Sequence, residues 1–318
     1  MSVGGGRAGA SGEAQHRDLD ALLAEAQDAL ETIADLVRFA TTVITREGVH
    51  LGHGTDDPVD EAVWIVLGAV SLEPGLADEL WSARLLASER RRVLALLRRR
   101  VVERIPAAYL IGRAWFAGLR FEVDERVLVP RSPLAEWIER GFEPLVEPES
   151  VHRVLDLGTG SGCIAIACAH AFPQASVDAV DVSDDALAVA ARNVRAHGLE
   201  DRVHLTRSDV FSAIDGRYDL IVSNPPYVPR ASHAAAPPEY HHEPMGGLVA
   251  GEDGLAVVER ILAGAAAHLC PSGVLVCEVG EAHVAVVERW PDLPLTWLEF
   301  ERGGDGVFAI AREDLPGA

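Results

Sequence analysis

The sequence predicts an α/β fold: a doubly wound, mainly parallel sheet of seven strands that ends in an antiparallel hairpin and follows a small helical domain. Three observations predict it. From Val151 onward, apolar runs of strand length (VHRVLDL, SVDAVDV, RVHLTRSD, YDLIVSN and GVLVCEV) alternate with helical segments such as CIAIACAHAF, DALAVAARNVRAHG and GLAVVERILAGAAAHL. Strands alternating with helices give a parallel sheet covered on both faces. At the end, LTWLEFERGGDGVFAIA reads as two strands joined at a Gly-Gly-Asp-Gly turn, an antiparallel pair at the sheet edge. Before Ile105 the apolar residues instead recur three and four apart, the period of amphipathic helices.

Taken in order, residues 1–18 are rich in Gly, Ala and Ser without periodicity and are expected to form a disordered tail. Residues 19–113 form the helical domain. LDALLAEAQDALETIADLVRFATTVI and DEAVWIVLGAV carry the helical spacing, and GVHLGHGTDDP and LEPGL interrupt it. Residues 114–150 open with AWFAGLRFEVDERVLVP, which alternates and has turn signals at Ala117-Gly118 and Asp124-Glu125; they are expected to be a strand-rich link with a connecting helix. Residues 151–318 form the sheet domain. There is no internal repeat.

Composition narrows the function classes. With 318 residues, 48% of them hydrophobic, the chain has the size of two folded domains. No apolar run approaches the roughly 18 to 20 residues of a membrane span, and MSVGGGRAGASGEAQHRD lacks the apolar core of a signal peptide, so a cytoplasmic protein without a membrane partner is expected. The four cysteines, Cys163, Cys168, Cys270 and Cys277, lie in apolar stretches without C-x-x-C spacing and read as reduced, buried thiols. A formal net charge of -21 disfavours a partner that presents a bare phosphate backbone. The local exception is ERRRVLALLRRR, where Arg90 to Arg100 form either a solvated helix face or a contact with ribosomal RNA.

An open parallel sheet binds its ligands beyond the carboxyl ends of its strands, and the distinctive residues lie there. After the first strand comes DLGTGSG, with Gly158, Thr159, Gly160, Ser161 and Gly162 opening a helix; glycines let a backbone turn tightly and approach a ligand. Read from Gly160, GSGCIA also satisfies the dinucleotide fingerprint, with Asp181 placed to hold ribose hydroxyls, so an NAD-dependent oxidoreductase is a competing reading. Asp156 separates the two. A carboxylate two residues before the first glycine opposes a pyrophosphate and suits a ligand carrying an ammonium and a sulfonium, which is S-adenosylmethionine. On this reading the glycines pass under the cofactor, Asp181 accepts both ribose hydroxyls, and Asp209 lies beside the adenine.

The fourth strand, YDLIVSN, runs into Asn224, Pro225, Pro226 and Tyr227. Two prolines cannot continue a strand ladder and fix φ near -65°, so the loop is stiff and its acceptors are aimed. An amide nitrogen, or the exocyclic nitrogen of adenine, is a poor nucleophile because its lone pair is delocalised. The Asn224 side-chain oxygen and the Pro225 carbonyl could accept its two N–H groups and orient it, with Tyr227 as a flat surface for the planar group. The same motif serves enzymes acting on the N(6) of DNA adenine, which carry basic surfaces; the acidic balance here argues for a protein substrate.

In these motifs the chain resembles the protein-(glutamine-N(5)) methyltransferases, from about Leu19 to its end. The resemblance implies a class I S-adenosylmethionine-dependent methyltransferase fold, a helical domain that recognises substrate, cofactor contacts from Gly158 to Gly162, Asp181 and Asn224, and a glutamine held by Asn224 to Tyr227. One departure is Val210, where some relatives carry an aromatic beside the adenine. GHGTDDPVDEAVWIVL, the stretch around VPRSPLAE (Val129 to Glu136) and PPEYHHEPMGGLVAGEDGL are similar to the branch that methylates large-subunit ribosomal protein L-three; the release-factor branch has I-P-R-P-[DE]-T-E in place of VPRSPLAE. Other classes remain as alternatives: the nicotinamide-dependent dehydrogenase and a non-catalytic, cofactor-binding assembly factor. No metal is expected, because the adjacent His241 and His242 cannot both face one ion. Nothing in the sequence sets the oligomeric state.

Overall fold

The structure, a computed structural model, describes residues 7–318, with side chains from residue 17 onward. It divides into two compact units, Met1–Ile111 and Gly112–Ala318. Of the expected disordered tail, residues 1–6 lie outside the described residues. The remainder is helical, because α1 spans Arg7–Ala29. Ala, Glu, Gln and Arg are strong helix formers, and extending a helix is far easier than nucleating one. The turn anchored by the buried Leu19 and Leu23 therefore runs back into a segment that has no apolar period of its own.

In the first unit, α2 (Ile33–Arg46) opens with a capping box between Thr32 and Asp35, and α3 (Pro58–Ala69) is capped by Asp57 with Pro58 in its first turn. α4 (Ala87–Val102) and α5 (Ala107–Ile111) complete it. Leu19, Leu36, Val43, Ile65, Val93 and Leu97 are fully buried members of one apolar core. The arginine block on α4 is largely committed within this unit. Arg100 is wholly buried, with Nε 2.5 Å from Glu61 Oε1 and Nη2 donating to the His50 carbonyl at 2.6 Å. Arg90 donates to the Gln27 and Leu85 carbonyls, Arg98 pairs with Asp20 and Arg99 with Glu103.

The second unit begins with β1 (Arg113–Phe116) and β2 (Leu119–Glu122), an antiparallel hairpin turned by Ala117 and Gly118, both at positive φ. A short helix, α6 (Leu134–Glu139), follows. Then come β3 (Arg153–Leu157), α7 (Cys163–Ala171), β4 (Ser176–Asp181), α8 (Asp184–Ala196), β5 (Val203–Arg207), β6 (Tyr218–Ser223), α9 (Arg230–Ala235), α10 (Met245–Leu248), α11 (Ala256–His268), β7 (Leu269–Glu278), α12 (His283–Arg289), β8 (Thr296–Trp297) and β9 (Val307–Ala311). Residues 114–150, expected to be a link, belong to this unit. Asn193 of α8 clamps the Glu122 backbone through both its amide atoms, at 2.7 and 2.9 Å, and the Trp137 indole donates to the Glu299 carbonyl at 3.1 Å.

Among the described residues the sheet has seven strands in the order β5-β4-β3-β6-β7-β9-β8. β3 to β7 are parallel, and β9 inserts antiparallel between β7 and the two-residue edge strand β8. The winding direction reverses between β3 and β6, which opens a crevice at their carboxyl ends. Leu155, Leu157, Ile221, Leu275 and Phe308 pack with α11 in one core. By the two-residue alternation of a strand, Val154, Asp156, Leu220 and Val222 face the opposite layer, where they are also fully buried. Cys163, Cys168 and Cys277 are buried free thiols and Cys270 is half-buried; burial pushes Cys163 up to about 12, which keeps it protonated and unreactive.

Candidate active site

The glycine loop leaves β3 at Leu157 and is stitched to its neighbour, because the Gly158 and Thr159 N–H groups both donate to the Val180 carbonyl at 2.9 Å. Gly158 and Gly160 hold φ of +75° and +54°, and a Cβ on either would meet nothing within 4 Å. Glycine thus supplies the left-handed backbone and leaves the space beside the loop open. Asp156 braces the loop from within the fold. Its Oδ2 accepts from the Thr159 hydroxyl at 2.6 Å and the Ala165 N–H at 3.1 Å, while Oδ1 is buried without a partner among the described residues. Burial pushes its carboxyl up to about 7, against the opposing pull of those two donors.

Asp181 ends β4 beside the loop. Its Oδ2 accepts the Gly160 N–H and its Oδ1 the Ser183 N–H, both at 2.9 Å; burial raises its pKa and these donors lower it. Each oxygen retains a lone pair for a further donor. After β5, Asp209 is exposed and pairs with Arg260 at 2.9 Å. Val210 sits at φ +54°, a strained conformation for a β-branched residue. The Ser208 hydroxyl helps hold it by donating to the Val210 carbonyl at 2.8 Å.

β6 is tied to β3 at its end by the buried Ser223 hydroxyl, which donates to the Leu157 carbonyl at 2.8 Å. Asn224 follows, and among the described residues no group hydrogen-bonds its side-chain amide. Tyr227 closes the turn and packs against the end of β7. Its hydroxyl donates to Glu278 Oε1 at 3.0 Å, and its ring is so close to Gly280 that a Cβ there would lie 2.6 Å from it. Beneath the turn, a Cβ on Gly254 would lie 2.2 Å from the Tyr227 carbonyl oxygen, so only glycine fits.

These pieces meet in one cavity of about 420 Å³, whose wall includes Gly158 to Ser161, Asp181, Asp209, Val210 and Asn224 to Pro226. Asp156, Gly162 and Tyr227 are off the wall. Gly162 instead gives α7 a close approach to α8, where its Cβ would lie 3.3 Å from that of Ala190. A further stretch of the wall, Arg126 to Ser132, was read in the sequence only as part of a family pattern. Glu243 fixes it, accepting from the Val129 N–H at 3.0 Å and from Arg131 at 2.6 and 2.8 Å. Two buried acids, Glu243 and Glu278, were thus missed as parts of the site. The signal available for Glu278 was its place at the end of the apolar run GVLVCEV, on the ligand edge of the sheet. Among the described residues, no three His, Cys, Asp or Glu side chains cluster as a metal site.

Comparison with known proteins agrees with this geometry. The family described as Methyltransferase small domain matches residues 142–236. A ribosomal protein uL3 glutamine methyltransferase of Xanthomonas campestris is 50% identical over 92% of this chain and 96% of its own length. The chain belongs to that family. Proteins of the same name from Bordetella pertussis, 50% identical over 90% of this chain and 97% of their own, and Xylella fastidiosa, 49% identical over 93% and 95%, agree. The cofactor of such a methyltransferase is S-adenosylmethionine, and the residues fit it. The space left open at Gly158 and Gly160 and the remaining lone pairs of Asp181 suit a nucleoside whose ribose hydroxyls donate.

Proposed function

We propose that this protein transfers a methyl group from S-adenosylmethionine to the side-chain amide nitrogen of a glutamine in large-subunit ribosomal protein uL3. One observation carries the reading: a single cavity joins the glycine loop and Asp181 to the Asn224–Pro226 turn. S-adenosylmethionine supplies an electrophilic methyl on a positive sulfur. Asp181 and the Gly158–Gly162 backbone hold the nucleoside, and Asp156 keeps the loop in place. The Asn224 side-chain oxygen and the Pro225 carbonyl accept the two N–H groups of the glutamine amide and fix its nitrogen in one orientation. Orientation is what a planar amide lacks as a nucleophile, and a stiff acceptor pair provides it without reorganisation during the reaction. No strong base is needed, since the nitrogen becomes acidic as it gains the methyl.

The helical unit is assigned to recognition of the protein substrate, because none of the cofactor motifs falls within it. Of the arginine block, Arg91, Arg92 and Arg99 are exposed; Arg99 pairs with Glu103 and Arg100 is buried, which leaves Arg91 and Arg92 best suited to ribosomal RNA. A reaction on a ribosomal protein fits a cytoplasmic setting, and no helix among the described residues is long and apolar enough to cross a membrane.

The test is to incubate the protein and isotopically labelled cofactor with hypomethylated ribosomal proteins and release factors, then map the label by mass spectrometry. A single methyl on a glutamine of uL3 is expected. Label confined to a release factor would overturn the substrate, and label on a nitrogen other than glutamine would overturn the chemistry.

A further inference from the structure

Glu278 is buried, carries a carboxylate and stands off the cavity wall, so its place calls for a reason. It is the last residue of β7. β7 lies beside β6 with Cys277 opposite Ser223, so Glu278 emerges next to the start of the Asn224–Tyr227 turn. Only 4% of it is exposed. Its Oε1 accepts from the Tyr227 hydroxyl at 3.0 Å and its Oε2 from the Ser132 hydroxyl, while the Ser132 oxygen accepts the Leu134 N–H at 3.1 Å.

We propose that Glu278 is a positioning residue for methyl transfer, setting the Asn224–Pro226 turn through Tyr227 and tying it to the Arg126–Ser132 segment of the cavity wall through Ser132. The proposal rests on the methyl-transfer reading above.

Every donor in this bridge points toward the carboxylate. Each carboxylate oxygen accepts from one hydroxyl, so both neighbours are aimed by the same group. Ser132 gives its single proton to Glu278 while its oxygen takes the Leu134 N–H, which anchors the bridge to the backbone at the start of α6. Burial raises the Glu278 pKa, while Ser132, Tyr227 and Arg131 favour the charged form. A buried charge is costly where an apolar side chain would fill the same space, and a fully satisfied polar bridge fixes direction in a way that apolar contact does not. Ser132 and the Asn224–Pro226 turn both line the cavity. Their separation is therefore held by one side chain between them, and a small misplacement of an orienting acceptor is enough to slow a reaction that depends on orientation.

Four full-length proteins test this: wild type, Glu278→Gln, Tyr227→Phe and the double variant. Each is assayed for methylation of uL3, with cofactor affinity measured by calorimetry. In Glu278→Gln, kcat should fall about tenfold or more, with cofactor affinity and the KM for uL3 within about twofold of wild type. The double variant should be no slower than the slower single one, because both break the same bridge. Losses that multiply, or a kcat within about twofold of wild type, overturn the proposal. Ser132→Ala cuts the bridge at its other end and decides the matter if Glu278→Gln does not fold: a fall in kcat at constant KM supports the bridge, and an unchanged kcat overturns it. Wild-type protein that leaves uL3 unmethylated would refute the functional reading instead, and that result is separate from a loss confined to the variants.

Discussion

On the proposed reading, Asn224 concentrates the chemistry into one amide. Replacing it by alanine removes a positioned acceptor from an enclosed site, which is worth about 3 to 4 kcal/mol, or roughly a hundredfold to a thousandfold in kcat. Single-turnover methylation by Asn224→Ala should show this loss while uL3 binding is nearly kept. A rate within about threefold of wild type, under roughly 1 kcal/mol, would reduce Asn-Pro-Pro-Tyr to a turn. Asp156 makes a pH prediction with a definite sign. Burial raises its folded carboxyl from 3.8 to about 7, so the fold favours the protonated form. Its contribution to the stability of the cofactor-free protein is complete below the ordinary carboxylate range and is lost as pH rises toward 7. Asp156→Asn cannot ionise, so the stability of wild type relative to this variant, from urea midpoints, should fall over that interval; a constant difference would remove the assigned cause. Asn224 was legible in the sequence because a strand that ends in two prolines announces an edge. The bridge at Glu278 was not, since its partners Ser132 and Tyr227 are 146 and 51 positions away and no local pattern encodes such a meeting.

At the scale of elements, period alone placed the strands and helices well, and the departures have physical causes. The N-terminal tail is helical from Arg7 because propagation follows a packed turn rather than local apolar content. The hairpin at Arg113–Glu122 is bound to α8 by the Asn193 clamp, which a reading of alternation cannot see. The arginine block on α4 is the most instructive case. Six arginines in ERRRVLALLRRR read as one cationic face, yet Arg100 faces inward to Glu61 while Arg91 and Arg92 are exposed. Removing one partner of a buried pair leaves an uncompensated charge, so Arg100→Ala should destabilise the protein by about 3 to 5 kcal/mol. Arg91→Ala and Arg92→Ala should stay within about 0.5 kcal/mol. Chemical denaturation of the three variants checks this, and equal effects would mean that Arg100 is not held as described.

For the whole molecule, charge and modularity make separate demands. A net charge of -21 would steer a substrate protein of opposite charge, so kcat/KM for uL3 should fall as salt is added, mainly through association; a salt-independent value would deny steering. Modularity is tested by division. The chain separates at Ile111 and Gly112, and every residue on the cavity wall, from Arg126 to Ile261, lies in the second unit. That unit has its own buried core, from Leu155 through Leu315, so a chain beginning at Gly112 retains the apolar burial that drives its folding. It should bind S-adenosylmethionine with an affinity within about threefold of the full protein, a difference under roughly 1 kcal/mol. Methylation of intact uL3 should fall sharply, because a glutamine reaches the Asn224 acceptors only when the protein that carries it is held, and the helices are assigned that holding. Calorimetry reads the first quantity and labelled-methyl transfer the second. Cofactor binding retained with transfer lost assigns recognition to Met1–Ile111; transfer at the full rate would show that the sheet unit recognises uL3 by itself.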